Sequence, residues 1–172
     1  MSADDAIIDA IIAREGDFVD HPADRGGATR WGVTQATLSE SLGRPATVFD
    51  VRALVKSDAA AIYRKRYLQD TGIWKIPNPE LRAVVLDAAV NHGPATAIRM
   101  LQHVLYLDDD GVIGQVTLAA IPHLDPWKLI AAYTGRRCKM YGGIVANDAS
   151  QRIFAAGWFN RIADLIDTVA KA

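Results

Sequence analysis

Residues 80–93, ELRAVVLDAAVNHG, constrain the fold more than any other stretch, because they read as a helix with almost no polar face. Leu81, Val84, Val85, Leu86, Ala88, Ala89 and Val90 leave few positions for water. A helix apolar nearly all round must be wrapped by other elements, so the stretch predicts the centre of a helical bundle. Ile76-Pro77-Asn78-Pro79 forms a rigid turn ahead of it, with Asn78 placed to cap and Pro79 at the first helical position. Gly93-Pro94 ends it.

The rest of the chain supplies the wrapping. Ile7, Ile8, Ile11 and Ile12 recur at helical spacing and predict a first helix from about Ala3 to Arg14, closed by Gly16 just after Glu15. Thr34 starts a short helix through Leu42, stopped by Gly43, and Thr47 starts another. Ser57 is expected to cap a run from Asp58 to Leu68, with Ala61, Ile62 and Leu68 facing inward. Further helices are expected to about Leu107, over Gly114–Ile121, from Asp125-Pro126 to about Val145, and from Ser150 to Val169. Gly157 in the last would admit the close approach of another helix. Between Val19 and Val33 the β-formers are broken by Pro22 and Gly26-Gly27, which predicts an irregular hairpin. The fold class is therefore mainly α with one small β element.

With 172 residues, about half of them apolar, the chain can bury one core, or a core with a small appended region. The Gly93 to Gly114 stretch is the nearest thing to a boundary, giving regions 1–93 and 94–172, or else one compact domain. A net charge of -1 gives no global case for nucleic acid. Two basic clusters, Arg64-Lys65-Arg66 and Arg136-Arg137 with Lys139, could each meet an anionic polymer, though each alone reads as a solvated helix face. The single cysteine, Cys138, excludes a disulfide framework and a Cys-rich zinc site. The opening MSADDAIIDAII lacks the basic region of a signal peptide, and no apolar window spans a bilayer. The expectation is a protein made in the cytoplasm, without stable membrane insertion.

Chemistry concentrates in Glu15 to Thr34, EGDFVDHPADRGGATRWGVT, a segment with no helical period. Loops of this kind commonly carry function. Glu15 sits where a helix ends, near the negative pole of its dipole, and partial burial against the isoleucine face would add to that effect. Both favour the protonated carboxyl that a general acid needs. Asp24, between Pro22 and Gly26-Gly27, is expected to be solvated and ionised. Two carboxyls held in different states suit cleavage of a glycosidic bond, one protonating the leaving oxygen while the other serves water or the developing cation. His21, His92, His103 and His123 show no ligand spacing, so neither a metal nor a cofactor is expected.

The same residues carry a resemblance. Glu15-Gly16-Asp17-Phe18, Pro22-Ala23-Asp24, Gly26-Gly27-Ala28-Thr29 and Trp31-Gly32-Val33-Thr34 resemble the motif of glycoside hydrolase family 108, the N-acetylmuramidases of phage endolysins. The likeness continues through Ala60–Tyr63 with Tyr67, and through Asp87–Gly93. Leu101-Gln102, Asp110-Gly111, Ile113-Gly114, Thr117, Gly157-Trp158 and Arg161 resemble the peptidoglycan-binding segment that follows in that family. The resemblance implies a lysozyme-like helical bundle with a turn-rich active-site loop after the first helix, and Glu15 as catalytic acid. The loop is also similar to that of T-even phage lysozymes, which implies supporting roles for Asp24 and Thr29. The sequence departs from the family in having Asp17 for a glycine and Arg25 where proline is common. Trp31 and Tyr63 are candidates to stack on sugars, while Trp74 reads as core. Asn91 and His92 are candidates to hydrogen-bond an N-acetyl group. The partner implied is the glycan strand of peptidoglycan, met by a monomer released through a holin-type pore to act in the periplasm or wall. The competing class is a non-catalytic wall-binding or secretion-assisting protein with the same fold.

Overall fold

A computed structural model describes residues 3–20 and 27–171. The chain divides into two compact units, Ile8–Arg66 on one side and Met1–Ile7 with Tyr67–Ala172 on the other.

The first unit holds most of helix α1 (Ala3–Glu15), a hairpin of strands β1 (Thr29–Arg30) and β2 (Val33–Thr34), and helices α2 (Gln35–Leu42), α3 (Val48–Ala53) and α4 (Lys56–Tyr63). Ile8, Ile11 and Ile12 are buried, as their spacing predicts. Side-chain chemistry sets the helix starts. Thr34 accepts from the Thr37 amide at 3.2 Å, and Thr47 exchanges bonds with Asp50 in a capping box. Arg44 grips the Asp50 carboxylate with two nitrogens, at 3.1 and 2.9 Å. That grip, with the Thr47 bonds, holds the acid well below the usual carboxylate range.

Helix α4 departs from the expectation. It begins after Val55, with no side-chain cap, so Ser57 lies inside it. It ends at Tyr63, where a π-helical turn from Arg64 to Gln69 takes over. The buried positions step by five, Tyr63 then Leu68, which is the hydrogen-bond spacing of a π turn. Ala59 and Tyr63, rather than Ala61 and Ile62, are the residues this helix buries.

The second unit is built on α5 (Pro79–His92), capped by Asn78, whose side chain accepts from the Leu81 amide at 2.7 Å. Every residue from Ala83 to Ala89 is buried. α5 packs against α6 (Pro94–Val104), α8 (Pro126–Asn147) and α9 (Arg152–Ala170), with the short α7 (Gln115–Ala120) between α6 and α8 in sequence. Fully burying each large apolar side chain contributes roughly 1.5–3 kcal/mol, so this helix is the nucleus of its unit. Arg82 fastens the start of α1 to it by gripping Asp4 at 2.9 and 3.0 Å.

The acidic run Asp108–Gly111 is latched by Gln102, which is buried on α6. Its Nε2 donates to the Asp110 carboxylate at 2.6 Å and its Oε1 accepts from the Gly111 amide at 2.8 Å. Two expectations change here. Gly157 faces open space, and Trp74 is 54% exposed with the Lys75 ammonium 5.7 Å above its ring. No helix among the described residues is long and apolar enough to cross a membrane.

Candidate active site

Glu15 is the last residue of α1, and Gly16, at φ +79°, turns the chain into the left-handed region that ends the helix. The Glu15 side chain is exposed rather than partly buried against the isoleucine face. What fixes it is the hairpin. Trp31 and Gly32 occupy the two turn positions at φ +54° and +73°, between the pairs Arg30↔Val33 and Thr29↔Thr34. Two positive φ angles in a two-residue loop make a type I′ turn, whose twist suits a hairpin. A Cβ on Gly32 would stand 2.8 Å from Glu15 Cγ and 2.2 Å from the Tyr63 hydroxyl. The hairpin turn therefore sits directly on the stem of Glu15, and only glycine fits.

Several contacts hold that turn in place. Arg30 donates to Asp17 at 2.9 Å and also bonds the Arg52 carbonyl at the end of α3. The Trp31 indole nitrogen donates to the Leu54 carbonyl at 3.3 Å. Val19 and Thr29 exchange backbone bonds in both directions at 2.8 Å. Asp17, the departure from the family motif, accepts from the Phe18 amide as well as from Arg30, and these bonds hold its carboxyl below the usual range. It thus braces the loop as an ionised partner of Arg30.

The remaining candidates divide. Asp24 lies outside the described residues. The Thr29 hydroxyl donates to the Gly27 carbonyl at 3.3 Å. Trp31 is half-buried, with Arg30 5.5 Å from its ring. Tyr63 is 4% exposed, so its ring is packed and only its hydroxyl approaches the turn, contrary to a stacking role.

Asn91 and His92 close α5 in the other unit, inside a hydrogen-bonded cluster. Asn91 donates to the Tyr141 hydroxyl at 3.0 Å, and that hydroxyl lies 3.0 Å from His92 Nε2. Arg137 Nε donates to the same Nε2 at 3.1 Å, which makes that nitrogen an acceptor and puts the His92 proton on Nδ1. Burial, with Arg137 adding to it, pushes His92 down to about 4. Behind it, Arg137 reaches the buried Asp87 at 2.6 Å, and Arg161 reaches the same carboxylate at 3.1 Å. Arg137, expected in a solvated basic cluster, is 1% exposed. Its signal was present in the stripe Leu129, Ile130, Tyr133, Arg137, Tyr141, which puts it on the buried face of α8. Asp87, an acid set among the apolar residues of α5, was the matching signal. Among the described residues no group of three His, Cys, Asp or Glu is placed to hold a metal.

Comparison with known proteins places the chain in a family. The model of the glycosyl hydrolase 108 family matches residues 8–93, and that of a predicted peptidoglycan domain matches residues 96–163. Among solved structures the chain is similar to SagA of Brucella abortus, at 34% identity and a TM-score of 0.80. That match covers 98% of this chain and 94% of the other. No curated protein matches.

Proposed function

The chain belongs to the glycosyl hydrolase 108 family and couples a glycoside hydrolase region to a peptidoglycan domain; from that premise we propose that it cleaves the β-1,4 bond between N-acetylmuramic acid and N-acetylglucosamine, with Glu15 as general acid. A peptidoglycan hydrolase of lysozyme-like, mainly helical fold is the frame within which this reading sits. The observation that carries it is the seat of Glu15, a carboxyl open to solvent at a helix end with its stem clamped under the Gly32 turn. Positioning of this kind is what an acid catalyst requires, because its proton must meet the glycosidic oxygen at hydrogen-bond range.

As the bond to the leaving sugar breaks, the Glu15 proton goes to the glycosidic oxygen and positive charge develops at the anomeric carbon. Asp24 and Thr29 are assigned to water on the opposite sugar face, with Asp24 taking its proton. Trp31 is assigned to one sugar, and Asn91 with His92 to polar groups of the glycan. The biological role that follows is that of an endolysin, a monomer released through a holin-type pore to act on the wall in bacterial lysis.

Glu15→Gln preserves size and hydrogen bonding but has no proton to give. Lysis of peptidoglycan by this variant should fall by at least ~10²-fold, the lower end for a general acid, with melting little changed. Digests by the parent should end in reducing muramic acid. Reducing glucosamine would reassign the bond, and undiminished lysis by Glu15→Gln would remove Glu15 from the mechanism. If the parent itself leaves the wall intact yet sediments with it, the chain is a binding protein.

A further inference from the structure

On the second unit, α6 and α8 enclose a groove of about 470 Å³ whose walls carry Arg99, His103, Arg136 and Lys139. All four side chains are exposed. A further hollow, lined by the last three of these and by Tyr106, continues it. The acid on the groove wall is Asp109, and Arg99 bonds its backbone carbonyl at 3.3 Å rather than its carboxylate. Among the described residues His103, Arg136 and Lys139 have no ion-pair partner, whereas Arg30, Arg44, Arg66, Arg82, Arg137 and Arg161 each have one.

The placement opposes stability. Arg136 and Lys139 are three residues apart on one helix face, and they confront Arg99 and His103, four apart, on the facing helix. Arg99, Arg136 and Lys139 carry like charges that repel, and an acid at any of these positions would relieve them. In a chain of net charge -1 the concentration is local, and a cleft lined by one sign of charge attracts the opposite sign. Met100 and Met140 give the same groove adaptable apolar surface. Neutral sugars would gain little from such a lining. An elongated ligand carrying carboxylates between small apolar groups matches it, and the groove lies wholly within the segment matched by the peptidoglycan domain. We infer that the α6–α8 groove binds the carboxylates of the peptide stems of peptidoglycan, so that the chain grips its substrate by the stems as well as by the glycan. This inference rests on the peptidoglycan reading above.

The test compares the full-length chain with its Arg136→Gln/Lys139→Gln variant, both changes being at exposed positions. Co-sedimentation is measured in the cold with intact sacculi, with glycan strands stripped of peptide and amidated at the lactyl carboxylates that stripping exposes, and with vesicles of anionic phospholipid. The variant should bind intact sacculi roughly tenfold more weakly, from the loss of two exposed charge contacts. The difference should shrink between about 0.01 and 0.15 M salt, as the Debye length falls from ~30 to ~8 Å. Binding and cleavage of stripped strands should be equal for the two proteins. Equal binding to intact sacculi would overturn the inference, as would parent binding to stripped strands as tight as to sacculi, or a defect confined to the vesicles. Failure of the hydrolase reading would register separately, as absence of cleavage of stripped strands by the parent whatever the binding data.

Discussion

At Gly32 two constraints meet on one α-carbon. Its φ of +73° disfavours any side chain, and a Cβ there would collide with the Glu15 stem and the Tyr63 hydroxyl. Tyr63 is buried and cannot swing aside, so the flexible partner, Glu15, must give way. Gly32→Ala should therefore lower activity by at least about tenfold, beyond the roughly 1–2 kcal/mol of stability expected from left-handed strain. Gly16→Ala is the control, since it has a similar φ with nothing within 4 Å of the added carbon. Equal loss of activity in both would attribute the effect to strain rather than to displacement of Glu15. His92 offers a second test at this scale. Its ordinary value near 6.5 falls to about 4 in the fold, so the unfolded chain binds the proton first as pH drops. The neutral ring's contribution to stability is whole above about pH 6.5 and is lost progressively towards pH 4. Urea midpoints at pH 7.5 and 4.5 should therefore converge in His92→Gln relative to the parent. An unchanged difference would show that carboxylates elsewhere account for the acid sensitivity.

The hairpin places a bulky residue where Asn is the preferred companion of Gly. Trp31 is held at φ +54° by its bond to Leu54, which fixes the indole beside the Glu15 seat. Trp31→Asn relieves the strain and loses the bond, two effects of about 1 kcal/mol that oppose each other. Melting should stay within a few degrees of the parent while KM for peptidoglycan rises several-fold. A lowered melting temperature with unchanged KM would make the indole an anchor and nothing more. Legibility from sequence followed the range of the forces involved. Thr34, Thr47, Asn78 and Asp125 could be placed as caps because a cap acts on amides two or three residues away. The π turn after Tyr63 and the uncapped start of α4 could not, since tertiary packing there overrides local preference. At the site, Glu15 was legible as an acid at a helix end. Its clamp by Gly32, its exposure and the burial of Tyr63 depend on contacts between residues far apart in sequence.

At the scale of the whole chain, one long-range tie is electrostatic. Asp87 belongs to the segment matched as glycosyl hydrolase, and its two counter-charges, 50 and 74 residues further on, belong to the segment matched as peptidoglycan domain. Truncation after Asp109 would remove both arginines together with α8 and α9, uncovering the apolar face of α5 on which those helices pack. Losing burial worth roughly 1.5–3 kcal/mol per large apolar side chain removes a large share of a typical domain's stability. The fragment should show no cooperative unfolding transition in urea. A fragment that melts cooperatively and lyses like the parent would make the second half dispensable. The same tie limits recombination. A chimera joining the first 93 residues to a foreign wall-binding segment inherits an acid without its bases, and it is viable only if the newcomer brings guanidinium groups to both places or if position 87 turns neutral in the same crossover. The heritable cassette thus begins at Pro79, upstream of the seam at which the two homologous regions meet.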